Sequence, residues 1–106
     1  GTNYSGTWMY GSGSAASSGR TSNQTSILGG WGIKGITANL FNFMNYSNTT
    51  TYKTVLIRSN NSGTGTEAIV NLWKKTPEAI NAIRLVVTTG ALVTGSTFTL
   101  YGIAAA

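Results

Sequence analysis

The chain has no cysteine and no histidine, only two acidic residues and a single proline. Each absence removes a class of function. Without Cys there is no disulfide framework, and without Cys or His the usual zinc sites cannot be built. The many Ser and Thr hydroxyls have no imidazole to activate them, which excludes a triad of the hydrolase type. Glycoside hydrolysis calls for two carboxyl groups facing one bond, and a strong calcium site for several carboxylates among its oxygens. Glu67 and Glu78, the only acids, stand at opposite ends of a strand-and-turn unit. They read as surface carboxylates that pair with Lys74, Lys75 or Arg84. We expect no enzyme, no cofactor and no metal. No apolar run approaches the ~20 residues of a membrane helix, so membrane insertion is not expected either.

Seven basic residues against two acids leave a net charge of +5. A nucleic-acid-binding domain gathers such charge into a patch or stripe. Here Arg20, Lys34, Lys53, Arg58, Lys74, Lys75 and Arg84 are scattered with one adjacent pair. They read as a solvated surface, and nucleic acid is not expected as a partner. The Gly/Ser-rich residues 11–19 lack the Lys-Ser/Thr of a P-loop and read as an ordinary loop.

What is present is β chemistry. Gly, Ser, Thr and Asn make up 52 of the 106 residues. Thr suits strands and the other three suit turns. Hydrophobic residues at 41% against 8% charged argue for a folded core over disorder. The length fits one domain, residues 1–106, with a loop-rich part at 1–34, the main strands at 35–103 and a tail at 104–106. In the loop-rich part, 7–10 reads as a short strand, 12–26 as a long loop and 27–28 as a brief strand before the glycines around Trp31. Residues 36–46 form a strand with Ile36, Ala38, Leu40 and Met44 on one face and Phe41 and Phe43 on the other. Apolar residues on both faces predict cover on both sides, from a second sheet or a neighbouring subunit. Residues 52–59 return as the second arm of a hairpin, Val55 and Ile57 opposite Thr54, Leu56 and Arg58. Three further runs, 66–74, 81–89 and 96–103, alternate in the same way, with turns at 75–78 and 90–95 between them. In the first of these, Ile69, Asn71 and Trp73 share a face.

Five strands and one or two weak ones, at this turn spacing, predict an all-β fold, a jelly-roll-like antiparallel β-sandwich. With one proline and few charges to protect its edges, the sheet needs cover, and oligomerisation supplies it. The chain opens on Gly1, so we expect a processed product or a fragment, its sandwich completed by N-terminal strands or a neighbouring subunit. Among the aromatics, Phe41, Phe43 and Phe98 read as core. Trp8, Tyr10 and Trp31 lie beside glycine-rich loops, where an exposed ring can stack on a sugar; they are the candidate ligand-binding residues.

Residues 42–103 carry a resemblance. The most specific elements are Ile80-Asn81-Ala82-Ile83-Arg84-Leu85 and, after a short turn, Gly95-Ser96-Thr97-Phe98-Thr99-Leu100-Tyr101-Gly102-Ile103. This stretch is similar to the C-terminal part of domains in virion structural proteins of tailed bacteriophages, those of marine and cyanobacterial phages in particular. The resemblance implies a jelly-roll-like sandwich in a tail, fibre, collar or capsid-decoration protein that assembles with copies of itself and with other virion proteins. It implies no catalytic site. The alternative expectation is a carbohydrate- or receptor-binding tip that uses the loop aromatics, with a host-surface glycan as ligand.

Overall fold

A computed structural model describes residues 2–29, 37–61, 63, 65–86 and 94–103. The described chain is all-β, with five strands: β1 (Tyr4–Gly11), β2 (Ala16–Gln24), β3 (Thr37–Phe43), β4 (Lys53–Asn61) and β5 (Gly65–Trp73). They form one antiparallel sheet in the order β2-β1-β5-β4-β3. The expectation of an all-β chain holds, as do the strands at 36–46, 52–59 and 66–74 to within a few residues.

Other expectations do not hold. Residues 16–24, expected within a loop, are the edge strand β2, hydrogen-bonded along β1. Conversely, 81–86 and 96–103, expected as strands, belong to no strand, and Phe98 is exposed where a core ring was expected. Residues 87–89 lie outside those described. Alternation prepares a segment for a ladder, but a strand exists only where a neighbour supplies the hydrogen bonds.

The turns follow from their residues. At 12–15 the Ser12 N–H donates to the Ala15 carbonyl at 2.9 Å and the Ala15 N–H to Ser12 Oγ at 3.1 Å, with Gly13 at φ +90°. Between β3 and β4, Asn48 Oδ1 accepts from the N–H groups of Thr50 and Thr51, at 2.7 and 2.9 Å, and from both hydroxyls. This is the Asx device by which one side chain fixes a loop. A register shift between Tyr4 and Gly6 marks a bulge in the β1–β2 pair, with Asn23 opposite it at φ +53°.

Pairing registers decide which side chains share a face. One row across the inner face runs Gly19, Trp8, Ile69, Ile57, Phe41, and the next Thr21, Gly6, Asn71, Val55, Phe43. Val55, Ile57 and Ile69 are buried there, with Trp8, Ile27, Leu28, Phe41 and Phe43 packed against them. A fully buried aliphatic side chain of this kind contributes about 1.5–3 kcal/mol. Asn71, completely buried, sits in the same layer. Its Oδ1 accepts from the Leu28 N–H at 3.0 Å and its Nδ2 donates to the Leu28 carbonyl at 2.9 Å. The amide thus imitates a strand neighbour and holds the 27–29 segment over the sheet. Residues 27–28 were expected as a strand; the N–H and carbonyl of Leu28 are bonded by this side chain instead. The space for it comes from Gly6, where a Cβ would stand 2.5 Å from Asn71 Oδ1.

The chain exposes 8004 Å², where a compact monomer of its mass exposes about 5,700 Å².

Candidate functional site

The candidate ligand-binding aromatics divide. Trp8 and Tyr10 belong to β1, which contains the short strand expected at 7–10, and both are half-buried. The Trp8 indole lies across Gly19 of β2, in the place a Cβ would occupy. Tyr10 stands opposite Glu67 on the inner face. Trp8 packs against the buried core and Tyr10 is half-buried, so neither ring is fully open. Trp31 lies outside the described residues.

The inner face holds polar groups that the sequence placed at the surface. Lys53, read as a solvated charge, is buried with 1% exposure. It starts β4 on the same parity as Val55 and Ile57, and its ammonium donates to the Thr51 carbonyl at 2.7 Å. The Ser59 hydroxyl donates to Asn39 Oδ1 at 2.6 Å. Glu67 is in the Tyr10–Ser59 row, and burial pushes its carboxyl above the ordinary glutamate range. Glu78 behaves as expected: Lys75 Nζ donates to its Oε1 at 2.6 Å in an exposed pair, and this contact holds the ammonium above the usual lysine value. Among the described residues no three His, Cys, Asp or Glu side chains gather to hold a metal ion, and no helix is long and apolar enough to cross a membrane.

The outer face is the largest candidate surface. Its rows run Arg20, Thr7, Val70, Leu56, Asn42 and Ser18, Met9, Ala68, Arg58, Leu40. Met9 is 66% exposed and Leu40 57%, and Val70 and Leu56 are also open. Two shallow depressions lie on this face, one bordered by Arg20 and one by Arg58. Both acids of the chain are elsewhere, Glu67 inside and Glu78 in the 74–86 segment. The outer face is therefore apolar and cationic. Its described side chains offer contact and charge, and among them no acid–base or nucleophile pair is brought together. The sequence signal for it was the double-sided apolar character of 36–46; Met9 and Val70 carried none on their own.

A second open surface is the C-terminal segment. Leu100 is 79% exposed and Tyr101 83%, with Phe98 and Ile103 beside them. The Tyr46 hydroxyl donates to the Ile103 carbonyl at 2.7 Å and ties this segment to the loop after β3. Ile80 donates its N–H to the Tyr46 carbonyl at 2.7 Å, so both halves of the C-terminal part meet just past the end of β3.

No protein-family profile, no curated protein and no solved structure matches the chain.

Proposed function

We propose that this chain is a non-enzymatic structural module of a bacteriophage virion, in a tail, fibre or capsid-associated protein, and that it works by contact with other subunits. The observation that carries the reading is the uncovered surface. About 2,300 Å² is exposed beyond the area of a compact monomer of this mass, well above the ~800 Å² each partner hides in a standard interface. Apolar side chains are exposed on the outer face and along 96–103. The resemblance of residues 42–103 to virion structural domains gives the context. On this reading the second layer of a jelly-roll-like sandwich comes from a neighbouring subunit or another part of a longer protein. The module is assembled in the host cytoplasm and carried on the extracellular particle.

An antibody raised against the purified chain, used to label parent particles in the electron microscope, tests the proposal. The expected result is decoration of one defined component, together with recovery of the chain as a homo-oligomer or bound to a virion protein. Unlabelled particles and a chain that stays monomeric at high concentration would overturn it.

A further inference from the structure

The two edges of the sheet are built differently. β2 carries Arg20, pairs through a bulge and ends near the left-handed Asn23, all devices that discourage a further strand. β3, Thr-Ala-Asn-Leu-Phe-Asn-Phe, has no charge, no proline and no irregularity in its register with β4. No described strand pairs with its other side. A regular, uncharged, partly apolar edge is a template for strand addition.

The ladder with β4 fixes how such an addition aligns. The Met44 N–H donates to the Thr54 carbonyl at 3.0 Å, in the same register as the strand. Antiparallel pairs alternate between hydrogen-bonded and non-hydrogen-bonded. Asn42 and Leu40 therefore bond to β4, while the main-chain groups of Phe41 and Phe43 turn toward the open edge. The 96–103 segment of the same chain is badly placed for this edge. Its Ile103 is held at Tyr46, whereas an antiparallel fit to β3 puts that end near Thr37, about 20 Å away by strand rise.

We infer that the open edge of β3 is the contact between two copies of this chain, paired antiparallel about a twofold axis at Leu40. This rests on the assembly reading and names its partner and surface. The axis at Leu40 overlaps the whole of β3 with its counterpart. Leu40 then faces Leu40 of the second copy as a non-hydrogen-bonded pair, and Ala38 faces Asn42. The two half-exposed leucines bury one another on the outer face. The nearest cations in that row, the two Arg58 side chains, start three strand spacings apart, about 14 Å, beyond the screening length of about 8 Å at physiological salt. The positive charge of the chain thus does not oppose the pairing. Tyr46 at each end of the seam places the exposed C-terminal segment of each copy beside it.

The lack of native cysteine makes the register testable in the full chain. Paired Cα atoms here lie within disulfide range. Leu40→Cys is expected to give a disulfide-linked dimer on mild oxidation. Ala38→Cys and Asn42→Cys are each expected to stay monomeric on a non-reducing gel and to cross-link when mixed. Ser18→Cys, on the outer face of β2, is the control and should not cross-link. Leu40→Lys, at a position outside the core, should halve the mass of the wild-type dimer in light scattering. Cross-linking of Leu40→Cys no stronger than that of Ser18→Cys, or an unchanged mass for Leu40→Lys, overturns the inference while leaving another route to assembly intact. A wild-type chain that is monomeric at every concentration also overturns it, and particle labelling then decides the assembly reading by itself.

Discussion

Ile69 and Val70 are neighbours in β5, yet the first is 2% exposed and the second 50%. The same contrast separates Ile57 from Leu56 on β4. The two faces of the sheet use similar residue types, because β-branched and aliphatic side chains suit any pleated surface. What differs is cover. The inner face has Ile27 and Leu28 laid over it and locked by Asn71, while nothing described lies on the outer face. The two faces thus carry similar residue types, and among the described residues only the inner one is covered. The difference predicts that inner residues report stability and outer residues report association.

The sharpest test pairs Ile69→Ala with Val70→Ala. Removing the buried Ile69 side chain leaves a cavity among Val55, Ile57 and Trp8, at an expected cost of about 2–4 kcal/mol. The exposed Val70→Ala change should stay within about 0.5 kcal/mol. Urea denaturation followed by tryptophan fluorescence reads both. Equal losses would mean the outer face is packed in solution, and the comparison between faces would fail.

Next in size is the asparagine pair, Asn71 inside and Asn42 outside. Asn71→Ala strands the Leu28 N–H and carbonyl, at an expected cost of about 1–3 kcal/mol. Asn42→Ala removes an exposed amide and should change stability by no more than about 0.5 kcal/mol. Amide hydrogen exchange at Leu28 sharpens the test, since its protection should disappear in Asn71→Ala and persist in Asn42→Ala.

Much of the inner face was legible in the sequence. Val55, Ile57 and Ile69 fall on one parity of strands that alternate cleanly, and Phe41 and Phe43 on the matching parity of β3. The role of Asn71 was not legible, because its partner is 43 positions away and alternation says only which way it points. β2 was hidden for a different reason. Ala-Ser-Ser-Gly-Arg-Thr-Ser-Asn-Gln has no apolar alternation, because an edge strand held by its backbone needs no buried side chains, and its Gly19 is shaped by Trp8. The 81–86 and 96–103 segments erred the other way. They have the pattern of strands but no ladder among the described residues, and pattern alone does not supply a neighbour.

The smallest expected effect concerns Glu67, the one acid drawn toward the inner face. Burial raises its carboxyl above the ordinary glutamate value of about 4.3. The protonated form is thus favoured in the folded chain, and its contribution is most favourable below the unfolded-state value. That advantage is lost as pH climbs through the raised folded value, and above it the ionised group is a steady penalty. Glu67→Gln, neutral at every pH, should therefore raise the urea midpoint slightly at pH 7 and leave it unchanged near pH 3. The difference between the two proteins should open between those limits and level off. Tyr10 and Ser59 flank Glu67 across the ladder, so a midpoint that instead falls at pH 7 would show the carboxylate to be held by its neighbours. The inner face would then owe part of its order to a charge as well as to its apolar rows.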